Sequence, residues 1–279
     1  MAGDRVVVTT EAELVEALRT PERWRVVGSG AHEHFRRPAP VDTSELRIEI
    51  RGLVDFSPND QVVVVRAGTP LEELQEALRP HGQCLPVSGE MGTVGGLVSL
   101  NLPHALEAEC GTWRDWVLGC AAVRADGTAV RAGSRAVKNV AGYDVHKFLV
   151  GTRGTLAVLT ELTLRTYPLR SLPTSAARYR QGGRRGDTFW IQRTLPTDFS
   201  AAVEASAEYE GFDLPTTSTL WRQLPSDATL PRFSGDWVIR AGCGDGNAVV
   251  EGPAQARLMR RTKELFDPTD RLNPGEFGL

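Results

Sequence analysis

The chain has 279 residues, of which 41% are hydrophobic and 24% charged. That is enough apolar material for one or two packed domains, and it excludes disordered, collagen-like and coiled-coil chains. A net charge of −3 gives no electrostatic ground for nucleic acid or an anionic membrane surface as partner.

The first elements read strand, helix, strand. Arg5–Thr9 is a β-branched run, and Thr10 with Glu13 forms a T-x-x-E capping box ahead of a short helix through Arg19. Trp24–Val27 is the next strand and runs into Gly28-Ser29-Gly30-Ala31. Gln61–Ala67 is a further strand. Thr69 as N-cap and Pro70 as first helical residue open a helix with Leu71, Leu74 and Leu78 on one stripe, and Pro80-His81-Gly82 stops it. Trp116–Ala125 and Thr128–Ala132 flank Asp126-Gly127, a strong hairpin signal. Val145–Val150 reads as helix and Thr155–Tyr167 as a long β-rich run. After Pro168 the texture changes. Residues 170–235 are loop-rich, with strands at Trp190–Arg193 and Asp236–Ala241 and a helix at Ser200–Tyr209, and a second, smaller domain is placed there. Gly252–Phe266 is a helix ended by Asp267-Pro268, and Asp270–Gly275 is a tight turn.

No run of about 18 apolar residues exists, so no transmembrane segment is expected. The start, MAGDRVVVTTEAEL, lacks the layout of a secretory signal. A cytoplasmic protein is expected, peripheral to the inner membrane only through partners. Cys84, Cys110, Cys120 and Cys243 form no C-x-x-C pair, and the histidines form no H-E-x-x-H. No metal site and no disulfide framework is therefore expected, and each cysteine reads as a small buried hydrophobe.

Three glycine-rich segments carry the chemistry. Gly28-Ser29-Gly30-Ala31-His32 follows a strand, but Glu33 stands where a Rossmann fingerprint has its third glycine, and no helical stripe follows. A turn of this kind still presents backbone N–H groups to an anion, or it is a plain tight turn. Ser88-Gly89-Glu90-Met91-Gly92-Thr93-Val94-Gly95-Gly96 is denser, with a helix start near Thr93. Without G-K-[ST] it is no Walker loop, and it suits a diphosphate held by backbone, although Glu90 would have to point away. The bland alternative is a bend between strands. The third segment is Lys138–Asp144, KNVAGYD, followed by Gly151–Thr160, GTRGTLAVLT.

KNVAGYD, GTRGTLAVLT with Glu161, and Gly111–Gly119 (GTWRDWVLG) together resemble the vanillyl-alcohol-oxidase type (PCMH type) of FAD-binding domain. Within it they resemble the glycolate oxidase group and its smaller flavin-fold subunit. The T-P-L-E-E-L helix start at Thr69–Leu74 and the tail Asp267-Pro268 with Arg271-Leu272-Asn273-Pro274-Gly275 carry the same likeness. The resemblance covers residues 1–169 and 256–279. It implies an α+β fold in which two subdomains, about 1–55 and 56–169, hold an extended, non-covalent FAD. A small α+β cap at 170–255 covers the isoalloxazine, and 256–279 returns to the FAD domain. It implies that Gly28, Ser29, Gly30, Ala31 and His32 form the first diphosphate loop. The second would hold Ser88, Gly89, Gly92, Thr93, Gly95 and Gly96. Gly111, Arg114 and Asp115 would lie beside the flavin. Gly142, Tyr143, Gly154 and Val158 would wrap the adenosine and ribityl parts, with Asn273 near the isoalloxazine. Two departures stand out. The first loop reads GSGAHEHF instead of a run of glycines, and Glu107 and Glu109 occupy a stretch where the family carries arginines.

The function this implies is an FAD-binding subunit of a glycolate-oxidase-like 2-hydroxy-acid dehydrogenase complex. With no cysteine cluster of its own, it would pass electrons to a larger flavin subunit and an iron–sulfur subunit. The alternative is a structural subunit that keeps the fold and binds FAD weakly or not at all. A hydroxy-acid oxidase needs a cation for the carboxylate and a base for the hydroxyl proton. Arg114, His104 and His146 are the candidates, each with a structural role as its alternative.

Overall fold

The computed structural model describes residues 4–87, 92–104, 106–134, 144–172, 188–225, 228–231, 233, 237–241 and 253–278. Ser88, Gly89, Gly142 and Tyr143 lie outside the described residues, as does most of KNVAGYD.

The chain opens with β1 (Arg5–Val8), α1 (Glu11–Arg19), β2 (Arg23–Val27) and β3 (Thr43–Ile48). The strands form a parallel sheet in the order β1-β3-β2. The capping box is present: Glu13 N–H donates to Thr10 Oγ1 at 3.2 Å, and Thr10 N–H to Glu13 Oε2 at 3.2 Å. Glu13 is fully exposed, and these hydrogen bonds, first those from Thr9, hold its carboxyl below the ordinary range. α1 buries Leu14 and Leu18 against Trp24, Leu46 and Ile48. The outer edge of β2 is covered from afar. Leu272 bridges Trp24 in parallel, with Trp24 N–H donating to the Arg271 carbonyl at 2.7 Å and Asn273 N–H to the Trp24 carbonyl at 2.8 Å. An exposed sheet edge is thereby paired.

The second layer holds β4 (Leu53–Ser57), β5 (Val62–Arg66), α2 (Leu71–Leu78), β6 (Gln83–Cys84), α3 (Val94–Leu100), α4 (Glu107–Cys110), α5 (Trp113–Trp116), β7 (Val117–Arg124), β8 (Ala129–Gly133), α6 (Val145–Phe148), β9 (Ala157–Arg165) and β10 (Tyr167–Pro168). Five strands make an antiparallel sheet in the order β4-β5-β9-β7-β8. The Asp126-Gly127 hairpin joins β7 to β8, with Gly127 at φ 79° and Asp126 Oδ1 accepting from Thr128 N–H at 2.9 Å. Val63, Val65, Leu71, Leu74, Leu78, Trp113, Trp116, Leu162 and Leu164 meet in the main core. Burial pushes the Cys84 and Cys120 thiols up to about 11, so they stay protonated, in keeping with small buried hydrophobes.

The start of α2 differs from the sequence expectation. Pro70 is the N-cap and Leu71 the first helical residue. Thr69 does not cap because its hydroxyl accepts from Gly52 N–H at 2.9 Å, while its carbonyl accepts from Val94 N–H at 2.9 Å. It ties three segments together instead.

The third layer comprises β11 (Thr188–Arg193), α7 (Phe199–Glu204), β12 (Gly211–Leu214), β13 (Thr219–Leu224) and β14 (Trp237–Ala241). It forms an antiparallel sheet in the order β12-β13-β11-β14 over a small core of Trp190, Ala202, Leu220, Leu224 and Leu230. The helix expected at Ser200–Tyr209 ends at Glu204. Just beyond it, the buried Arg222 guanidinium takes the Ser206 carbonyl at 3.1 Å and its hydroxyl at 3.0 Å. β12 and β13 lie where the sequence reads as loop.

Finally, α8 (Pro253–Phe266) returns to the first two layers. Lys263 is buried on it, and its ammonium donates to the Thr155 carbonyl at 3.0 Å, the Leu272 carbonyl at 2.7 Å and Asp267 Oδ2 at 2.5 Å. The same Asp267 oxygen accepts from the N–H groups of Arg271 and Leu272 at 2.8 and 2.7 Å. The D-P-x-x-R-L-N-P-G tail is thus shaped by one carboxylate. Arg271 then fastens it to the end of α1 through the carbonyls of Leu18, Thr20 and Glu22.

Candidate functional site, a cleft between the first two layers

A cleft opens where the end of β2, the first turn of α3 and residues 153–159 meet. It is lined by the apolar Val26, Val27, Ile48, Ala67, Leu100, Ala157, Val158 and Leu159, and by Gly28–Glu33, Arg36, Thr93, Gly95, Gly96, Ser99, Arg153, Gly154 and Asn273. Eleven sequence-predicted positions therefore share one cleft: Gly28, Ser29, Gly30, Ala31, His32, Thr93, Gly95, Gly96, Gly154, Val158 and Asn273.

The glycines do different jobs there. A Cβ on Gly28 would sit 2.4 Å from Thr93 Oγ1, so this glycine lets the β2 loop close on the start of α3. Gly30 adopts φ +81°, and a Cβ there would meet nothing nearer than 3.9 Å. Gly95 faces inward, where a Cβ would lie 2.7 Å from the Ala67 Cβ and 2.9 Å from the Ala67 carbonyl oxygen. A Cβ on Gly96 would meet only Thr93 Oγ1, at 3.1 Å, and is otherwise open to the cleft. Gly92 sits under the His32 ring, 3.1 Å from where its Cβ would be.

The N–H groups are divided just as unequally. At α3, Val94 donates to the Thr69 carbonyl, Gly95 to the Ala67 carbonyl at 2.8 Å, and Gly96 to Thr93 Oγ1 at 3.2 Å. The first turn of this helix has no spare donor. At Val94–Gly96, α3 therefore supplies a surface free of side chains, its amides being used within the fold, while Ser88–Met91 of the same bend lie outside the described residues. In the first loop, Ser29 and Gly30 N–H groups carry no hydrogen bond within the described chain, and Arg47 steadies the loop from behind by donating to the Gly28 carbonyl at 3.1 Å. Within the described residues, that loop has donors to offer.

Charge around the cleft is nearly balanced. Arg36 donates to the Val26 carbonyl at 2.7 Å, Glu33 Oε1 at 3.3 Å, Asn273 Oδ1 at 2.6 Å and Glu276 Oε2 at 3.4 Å. Arg25 donates to Glu33 Oε2 at 2.9 Å and Arg153 to Glu276 Oε1 at 2.7 Å. Burial lowers the Arg36 guanidinium below its ordinary value, and Glu276 pulls it back up. Three guanidiniums thus face two carboxylates, which leaves a small positive excess for an anion. Arg36 and Arg153 were not singled out in the sequence, and Glu33 only as the residue in place of a Rossmann glycine. Arg153 sits inside a quoted motif, G-T-R-G, where its own φ is +52°.

The remaining expected residues fall elsewhere. Gly111, Arg114 and Asp115 do not line the cleft. Asp115 Oδ2 accepts from Thr112 N–H and Oγ1 at 2.8 Å each, closing the turn before α5, and Arg114 is exposed. His104 is 3% exposed, with its ring 5.0 Å from Trp116 and Nε2 donating to the Gly111 carbonyl at 3.1 Å. That bond leaves Nδ1 a buried lone pair without a partner, and burial lowers the imidazole to about 4. A base so weak, away from the cleft, is poorly placed for the role the sequence offered it. His146 is buried against β8, 4.0 Å from the Asp144 carboxylate, and burial lowers it too. Asn273 lines the cleft, yet its amide is used: Oδ1 accepts from Val26 N–H at 2.8 Å as well as Arg36, and Nδ2 donates to the Arg153 carbonyl at 2.8 Å.

The parallel sheet, the antiparallel sheet and the cleft between them define a dinucleotide-holding protein of the FAD-binding PCMH type, and a family model described as an FAD binding domain matches residues 5–133. The chain is 37% identical to the glycolate oxidase subunit GlcE of Escherichia coli strain K12 over 323 aligned positions, covering 90% of this chain and 91% of that protein. It is 36% identical to the glycolate oxidase subunit GlcD of Bacillus subtilis strain 168, over 68% of this chain and 43% of that protein. A D-lactate dehydrogenase of Archaeoglobus fulgidus is 36% identical over 41% of this chain and 26% of its own length. The chain belongs to the glycolate oxidase subunit GlcE family, within the FAD-dependent oxidoreductases. No helix among the described residues is long and apolar enough to cross a membrane.

Proposed function

We propose that the chain is the FAD-binding subunit of a glycolate-oxidase-like 2-hydroxy-acid dehydrogenase complex, working beside a larger flavin subunit and an iron–sulfur subunit. The observation that supports it most is the lining of the cleft, where the unengaged N–H groups of Ser29 and Gly30 stand beside the bare surface of Gly96. Ser29 and Gly30 would hold the diphosphate. Gly96 would let it approach, and Gly154, Val158 and Ala157 would line the path of the rest of the cofactor. When bound, FAD supplies the acceptor for a hydride from a C–H bond. The chain's own part is to hold it, to keep the Arg36–Glu276–Arg153 charges fixed beside it, and to exclude water with the apolar Ile48, Ala67 and Leu159.

The test is the visible spectrum of the purified protein. Flavin bands at close to one FAD per chain, or uptake of added FAD to that level, are expected. A colourless preparation that takes up no FAD overturns the reading. Co-purification from the native source, read for partner chains, tests the complex.

One observation favours a second reading, a structural subunit that keeps the fold without oxidising a substrate. His104 and Arg114, two of the groups the sequence offered for catalysis, both stand outside the cleft. Reduction of bound flavin by a 2-hydroxy acid in the isolated chain would eliminate it.

A further inference from the structure

The loop proposed to offer its amides to the cofactor is held at its leading stem by Asn273, 247 positions away in sequence, and at its trailing stem by Arg25 and Arg36, the latter itself tied to Asn273 and Glu276. Its leading stem is Val26. The Val26 N–H donates to Asn273 Oδ1 at 2.8 Å, and its carbonyl accepts from Arg36 at 2.7 Å. Its trailing stem is Glu33, whose carboxylate takes Arg36 at 3.3 Å and Arg25 at 2.9 Å. Arg36 is in turn fixed by Asn273 at 2.6 Å and Glu276 at 3.4 Å. Glu276 is 3% exposed and reaches across to Arg153 at 2.7 Å on the opposite wall of the cleft. Asn273 joins the same two walls, because its Nδ2 donates to the Arg153 carbonyl at 2.8 Å. The Asn273–Glu276 turn therefore spans the cleft from behind and sets the distance between its walls.

We propose that this turn is a positioning element for the diphosphate loop, with Glu276 and Arg36 as positioning residues, so that FAD binding and docking of the turn strengthen one another. The proposal rests on the reading of the cleft as the FAD site. The coupling follows from geometry: a ligand that orders the Gly28–His32 loop orders the stems that the turn must grip, and the reverse holds with the same free energy. The loop Gly28-Ser29-Gly30-Ala31-His32 is followed by Glu33, and the charge-assisted bonds of Glu33 to Arg25 and Arg36 fix its trailing end.

Hydrogen–deuterium exchange on the whole chain, with and without saturating FAD, tests this. Amide exchange over residues 271–278 is expected to slow by roughly tenfold, within the range of ordinary coupling between sites. The slowing should follow the same FAD concentration as the flavin absorbance, while peptides from β11 and β13 stay unchanged. Equal exchange over 271–278 in protein that takes up FAD overturns the coupling and leaves the cofactor site standing. Uniform slowing that includes β11 and β13 also overturns it. No uptake of FAD removes both readings together. Glu276→Gln adds a contrast of sign. Acting through charge alone, it would leave an extra positive charge by the cleft and tighten FAD. A positioning role predicts binding weaker by roughly tenfold. Equal or tighter binding overturns the proposal, and if the variant fails to fold, exchange on the unaltered chain decides it.

Discussion

Gly95 and Gly96 are adjacent, yet they face different things, and alanine at each separates folding from cofactor binding. At Gly95 the new methyl would stand 2.7 Å from the Ala67 Cβ, which has no freedom of its own, and 2.9 Å from the Ala67 backbone carbonyl oxygen, so the backbone would have to shift. Overpacking of this kind costs about 1–3 kcal/mol. For a chain of this size, about 2 kcal/mol corresponds to a fall in Tm of roughly 4–8 °C. At Gly96 the methyl meets only Thr93 Oγ1 at 3.1 Å, and alanine gains about 0.5–1 kcal/mol of helix propensity over glycine. Gly96→Ala is therefore expected to keep or slightly raise the Tm of the apoprotein while weakening FAD roughly tenfold, about 1.4 kcal/mol. Gly96→Glu, with a carboxylate in the diphosphate path, should abolish retention. Circular dichroism melts of the apoproteins and flavin titrations read the two effects apart. The reasoning fails if Gly95→Ala melts with the wild type, or if Gly96→Ala binds FAD unchanged.

Further outcomes follow from the buried network. Lys263→Met leaves the Asp267 carboxylate buried without its cation and should cost about 3–5 kcal/mol; a urea midpoint equal to that of the wild type would remove Lys263 as the hub. His104 contributes a pH dependence to stability, and His146, also lowered by burial, adds one of the same sign. The folded state holds His104 neutral down to about 4, whereas the unfolded chain takes up the proton near the ordinary 6.5. Between those values the unfolded state binds more protons, so stability falls as pH drops through that window by about 3 kcal/mol. His104→Phe should reduce that slope in urea melts at pH 4.5 and pH 7. Thr10→Ala removes the cap of α1 and should cost about 1 kcal/mol, read as a lower urea midpoint with FAD affinity unaltered.

Much of the fold is legible in the residues because local chemistry and tertiary packing agree there. Thr10 and Glu13 cap where a capping box should. Leu71, Leu74 and Leu78 are buried on one stripe, and Asp126-Gly127 turns where a hairpin turn was read. The misreadings come from long-range competition. Thr69 is a good N-cap by type but is spent on Gly52. β12 and β13 are short and broken by the Pro215 turn, so alternation has no room to show, and their pairing is decided across the sheet. In the cleft, sequence could mark glycines but not say which way each faces, and Gly95 and Gly96 look alike until the Ala67 backbone is in place. Arg36 and Glu276, 240 residues apart, carry no local signal of their meeting.

The covered edge of β2 has a consequence for biosynthesis. Ribosomes make proteins N-terminus first, so Trp24 emerges long before Leu272 and Asn273, which pair with it. Throughout that interval the nascent chain presents an unpaired parallel strand beside a half-built pocket. It is a template for mispairing with a neighbour until the tail arrives to cover it.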